Sequence, residues 1–155
     1  MEIWVILTGL AGGIVATAAM TLTEWIFWKK WGLQGVLEWH ENQMLISKLL
    51  KLDKKRLHFS GIFGLHFFNG ALGGLGLVLA LYLIPALNNI IHLIALAAGY
   101  GFFLWIITLV PIHKPITGTH PWNHPLGKGP ALASLGGHVL YGVILGIFLL
   151  LAGYA

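Results

Sequence analysis

The sequence predicts an all-α integral membrane protein: a four-helix bundle made of two tandem helical hairpins, with an amphipathic helix lying at the cytoplasmic interface. Three observations predict it. Of 155 residues, 57% are hydrophobic and 9% charged, whereas a soluble domain carries roughly 25% charged residues. Four apolar runs each reach the roughly 20 residues needed to cross a ~30 Å hydrocarbon layer. The second and fourth runs carry the same spacing of histidine and glycine. These runs account for most of the chain, so residues 1–155 read as a single transmembrane domain with no separate soluble unit.

The first span is expected over about residues 3–28. Met1 and Glu2 precede it directly, without the basic n-region and small-residue cleavage site of a secretory signal, so it is expected to be a retained span. In the loop that follows, Val36, Leu37, Trp39, Met44, Leu45, Leu49, Leu50 and Leu52 recur near helical spacing among Glu38, Glu41, Lys48 and Lys51. This predicts an interfacial helix over about residues 35–52, with Trp25, Trp28, Trp31 and Trp39 at headgroup level. Lys48, Lys51, Lys54, Lys55 and Arg56 form a candidate lipid-binding cluster, each basic residue adding on the order of 1 kcal/mol of attraction to anionic lipid. A plain cytoplasmic anchor with no recognition role fits the same pattern.

The second and third spans are expected over about residues 61–83 and 90–112. A short turn at Pro85, Ala86, Leu87, Asn88 and Asn89 makes them antiparallel neighbours. The next loop, VPIHKPITGTHPWNHPLGKGP, holds five of the six prolines and is expected to be an ordered, non-helical cap. The fourth span covers about residues 131–154. Every Lys and Arg lies in the first or third loop. The positive-inside rule therefore predicts a multi-pass protein of the cytoplasmic (inner) membrane, with basic loops in the cytoplasm and both termini outside.

The internal repeat is Gly64-x-His66-x3-Gly70-x3-Gly74 against Gly136-x-His138-x3-Gly142-x3-Gly146. Residues four apart share a helix face, so each histidine stands one turn above a glycine groove that a neighbouring helix can approach closely. The first and third spans match more weakly, through Gly9, Gly13 and Thr17 against Gly101, Phe103 and Trp105.

Topology gathers His40, His58, His66, His113, His120, His124 and His138 on or near the basic side; His92 alone belongs to the other. Neutral imidazole is the commonest ligand for zinc, copper and iron. His113, His120 and His124 are therefore candidate metal ligands, with interfacial hydrogen bonding as the structural alternative. His66 and His138, at equivalent turns, are candidates for a paired-imidazole metal or haem site. The alternative is that each pins helix packing by donating to a backbone carbonyl. Glu24 lies well inside the first span, on one face with Thr17 and Thr21. A carboxylate at the bilayer centre costs roughly 2.5–3.5 kcal/mol and ordinarily faces the bundle interior, although Glu24 is also near enough to Lys29 to reach the interface. Asn69 and Tyr141, three residues after each repeat histidine, would complete a polar intramembrane site with it.

Cysteine is absent, which excludes thiolate metal sites and disulfides. Membrane di-iron desaturases also combine four spans with imidazoles, yet their adjacent His-His pairs do not occur here, nor does G-x-S-x-G, a P-loop or H-E-x-x-H. The segments GLAGGIVATAAM, GLHFFNGALGG and GGHVLYGVILG resemble a family of small four-span prokaryotic membrane proteins catalogued as a domain of unknown function. The resemblance rests on Ala16, Thr17 and Met20, and on His138, Tyr141, Gly142 and Gly146. It implies the four-span fold and no particular activity.

Three functions follow as expectations. The first is a non-catalytic subunit of a membrane complex whose histidines bind a metal ion (zinc, copper or iron) or haem. The second is an oligomeric proton- or ion-coupled transporter or channel using Glu24 and the repeat histidines. The third is a metal-dependent membrane enzyme acting on lipid or quinone. Expected partners are membrane lipid and a second copy or a larger membrane complex; nucleic acid is not among them.

Overall fold

The computed structural model describes residues 3–83 and 90–154, with the side chain of residue 90 left aside. Among them are five α-helices: α1 (Ile3–Trp31), α2 (Leu37–Leu49), α3 (Phe59–Leu83), α4 (Ile90–Thr117) and α5 (Gly129–Leu151). Four of them, all but α2, are long and apolar enough to cross a membrane, so the chain is a multi-pass membrane protein. Large apolar side chains such as Leu22, Phe68 and Leu151 face outward, as lipid requires. The turn expected at residues 85–89 lies outside the described residues.

Helix order around the bundle is α3, α1, α5, α4. α1 packs on both α3 and α5, and α5 on α4, whereas α3 and α4 hardly meet. Glycine explains the close pairs. A Cβ on Gly13 would run into the Gly70 carbonyl, and one on Gly74 into the Gly9 carbonyl, so α1 and α3 touch backbone to backbone. Across α4 and α5, a Cβ on Gly142 would strike the Ala97 carbonyl and one on Gly101 the His138 carbonyl. Without water-driven burial, such close approach is what associates helices in lipid.

The half of the bundle away from the basic loops is closed by apolar packing of Leu77, Val78, Leu93, Ala97, Leu145 and Leu149. At the basic end, α2 lies across the bundle and touches α3, α4 and α5. Its buried face is mixed and not apolar alone. Val36, Leu37 and Trp39 are buried against the bundle, and so are Glu41, Asn42, Gln43 and Ser47, while Leu49 and Leu50 are exposed. Trp39 is thus a core residue, edge-on to Phe63, and not a headgroup anchor. Hydrogen bonds hold the helix down: Asn42 Nδ2 donates to the Ile62 carbonyl (3.2 Å), Gln43 Nε2 to the Arg56 carbonyl (2.8 Å), and the His58 N–H to Gln43 Oε1 (3.0 Å).

The proline-rich segment also departs from expectation. α4 continues through Pro111 and Pro115 to Thr117, so the loop begins only at Gly118, and it holds a short 3-10 helix at Pro121–Asn123. Thr117 Oγ1 donates to the His113 carbonyl (2.8 Å) in the last turn of α4.

Gly13→Leu is expected to weaken the fold by about 1–3 kcal/mol or more through overpacking, read as a lower denaturing SDS fraction in mixed micelles. Gly64→Ala, whose Cβ meets nothing within 4 Å, is expected to leave that midpoint unchanged.

Candidate functional site

The poor contact between α3 and α4 leaves a cavity of about 450 Å³. Its rim is formed by exposed Asn69 and Leu72 of α3 and exposed Thr108 and Ile112 of α4, so it opens sideways from the bundle. Thr17 and Met20 of α1 and His138 and Tyr141 of α5 form its buried floor. Two tyrosines bound it on the side of the apolar half: Tyr100 Oη donates to the Gly73 carbonyl (2.8 Å) and Tyr141 Oη to the Gly70 carbonyl (2.6 Å). At the basic end, α2 closes it with Glu38, Glu41 and Asn42.

Three glutamate–histidine pairs cluster there. Glu24 Oε2 lies 2.9 Å from His66 Nε2 and accepts from Trp39 Nε1 at 2.8 Å, so it is tied to α3 and α2 and does not reach the interface beside Lys29. Glu41 Oε1 lies 2.7 Å from His113 Nδ1, joining α2 to α4. Glu38 Oε1 accepts from Ser134 Oγ and lies 3.4 Å from His138 Nδ1, which also lies 3.0 Å from the Ser134 carbonyl. Glu38, Glu41, His66 and His138 line the cavity itself; Glu24 and His113 stand behind their partners. Among the described residues every ion pair joins a glutamate to a histidine. Glu24 Oε1 and Glu38 Oε2 are buried and accept no hydrogen bond.

This environment favours the neutral form of the two α2 acids, Glu38 and Glu41. Burial, reinforced by the neighbouring Glu24 carboxylate, pushes Glu38 up to about 8. Burial and then Glu38 push Glu41 up to about 9. Burial lowers His40 and His124, keeping both imidazoles neutral.

The structure brings Thr17, Asn69, Tyr141, His66 and His138 to one cavity, with Glu24 behind His66. Thr21 is turned away, donating to the Thr17 carbonyl (2.8 Å). The other histidines divide differently. His113 is fully buried and engaged with Glu41, whereas His120 Nδ1 accepts from the Trp122 N–H (3.3 Å) and His124 Nδ1 from the Leu126 N–H (3.1 Å). The last two therefore use a ring lone pair to cap the loop backbone, the same lone pair a metal would need. Among the described residues no three His, Asp or Glu side chains are arranged to hold a metal ion. Lys48, Lys51, Lys54, Lys55 and Arg56 are exposed, as a lipid-contacting cluster requires.

Sequence reasoning missed Glu38, Trp39, Glu41 and Ser134. The available signal was Glu38-x-x-Glu41, two acids one turn apart in a chain holding only five.

Two outcomes test the site. Trp39→Phe retains the ring but removes the indole donor to Glu24, with an expected loss of about 1–3 kcal/mol in unfolding free energy. Because Glu38 and Glu41 sit at about 8 and about 9 in the folded chain, above the ordinary 4.5, the native state retains protons that the unfolded chain releases. Their stabilising contribution is full below about pH 4.5 and falls as pH rises toward about 8–9. The SDS midpoint is expected to decline over that range, and Glu38→Gln or Glu41→Gln to flatten the decline. No protein-family model, curated protein or solved structure matches the chain.

Proposed function

We propose that this chain is a membrane-embedded binding protein that admits an amphipathic, bilayer-dissolved molecule sideways between α3 and α4 and holds its polar head against titratable glutamate–histidine pairs. One observation carries the reading: buried glutamate–histidine pairs border a single cavity whose rim of Asn69, Leu72, Thr108 and Ile112 is exposed on the flank of the bundle. A cavity of about 450 Å³ suits one small amphipath, since ligand pockets run roughly 300–1,000 Å³. Leu72, Leu104 and Ile112 suit its chain, and the carboxyl and imidazole groups suit its head.

Of the three expectations from sequence, this stands nearest to a protein acting on lipid or quinone, without requiring a metal. A channel through a single bundle is disfavoured by the apolar packing of the opposite half, which among the described residues offers no polar relay. The basic loops support placing the site on the cytoplasmic side.

The test is photolabelling in phosphatidylcholine nanodiscs with diazirine-bearing dodecanol and dodecylamine. Saturable labelling is expected at Leu72, Tyr100 or Leu104 with one or both probes, and Leu104→Trp, which fills the cleft, is expected to abolish it. Labelling spread evenly over the lipid-facing helices and indifferent to Leu104→Trp refutes the reading.

A further inference from the structure

We propose that the molecule taken into the cleft is a lipophilic cation, an amphipath headed by a protonated amine, bound in exchange for protons held on Glu38 and Glu41. The inference rests on the cleft being a binding site for bilayer-dissolved molecules and specifies their class.

Charge balance is the first argument. Glu38 is faced by Glu24 from α1, by His66 from α3, and by Ser134 and His138 from α5. Glu41 is faced by Glu38 along its own helix and by His113 from α4. Among the described residues no lysine or arginine pairs with any of these carboxyls. The site therefore has acids on one side of the balance and only titratable imidazoles on the other. An anionic head would find no lysine or arginine among the described residues of the cavity wall to pair with it.

Hydrogen-bonding capacity is the second. Glu38 borders the cavity, and its Oε2 is buried without any donor, as is Oε1 of Glu24 behind it. An unsatisfied buried acceptor is costly, and a primary ammonium brings three N–H donors together with the missing positive charge. A neutral hydroxyl head would bring one donor and no charge. The rings of Tyr100 and Tyr141 also line the wall, with their hydroxyls already engaged on backbone carbonyls, a setting that suits a cation near an aromatic surface.

Protons balance as follows. In the empty cleft Glu38 and Glu41 remain largely protonated at neutral pH because of burial. An alkylammonium keeps its own proton, its pKa being near the ~10.4 of lysine. When it settles beside a protonated carboxyl, the O–H bond breaks, the ammonium–carboxylate pair forms, and one proton leaves to water for each carboxyl ionised.

The experiment uses the full chain in phosphatidylcholine nanodiscs without anionic lipid, with empty nanodiscs as reference. Dodecylamine, dodecanol and dodecanoate compete against the photoprobe, and an indicator dye reads protons released in weak buffer. Dodecylamine is expected to compete about tenfold or more better than dodecanol, a difference of about 1.4 kcal/mol. It is expected to bind more tightly as pH rises toward about 8 and to release about one proton per molecule bound. In Glu38→Gln and Glu41→Gln, checked for folding by the SDS midpoint, the preference for amine and the proton release are expected to diminish together. Equal competition by amine and alcohol with no proton release overturns the cation inference and leaves the cleft reading intact. No saturable labelling by either probe overturns both.

Discussion

A carboxyl group inside a bilayer must find either a proton or a counter-charge, and most of the architecture of this chain follows from having three of them at one end of the bundle. Glu24, Glu38 and Glu41 come from two helices, and each meets a histidine from another: His66 on α3, His138 on α5, His113 on α4. Those contacts seat α2 across the mouth of the bundle. Because imidazole is itself titratable, the arrangement compensates the acids conditionally and leaves their protonation open to whatever occupies the cleft.

The cleft in turn depends on where the glycines are not. Close seams join α1 to α3 and α4 to α5, and α1 and α5 meet through Met20 and Gly137 in the middle. Between α3 and α4, Gly73 and Gly76 approach Leu104 and Tyr100, so the tyrosine spans a gap that backbone contact would have closed. Both tyrosine hydroxyls bordering the cavity are committed to glycine carbonyls, which satisfies them and keeps the wall largely apolar.

The spans were legible because hydropathy over about 20 residues is a strong, local signal. The placement of Glu24 inside the bundle was legible for the same energetic reason. The role of α2 was not. Periodicity distinguishes two faces of a helix but assumes the polar one meets water, whereas here Glu41, Asn42, Gln43 and Ser47 face a polar interior. Proline misled in a second way: at Pro111 and Pro115 the missing N–H does not end α4, because lipid offers the backbone no better alternative than the helix. The loop histidines were grouped by topology and spacing, and neither can reveal that His120 and His124 already accept backbone N–H donors.

The apolar half of the bundle, packed from Leu77 and Val78 to Leu145 and Leu149, has an electrical consequence. A medium of that polarity is the insulating layer of the membrane, so most of any transmembrane voltage drops across it and little reaches the carboxyl cluster. On the proposed binding role, occupancy of the cleft would therefore answer to the acidity on the side of the carboxyl cluster far more than to the transmembrane potential.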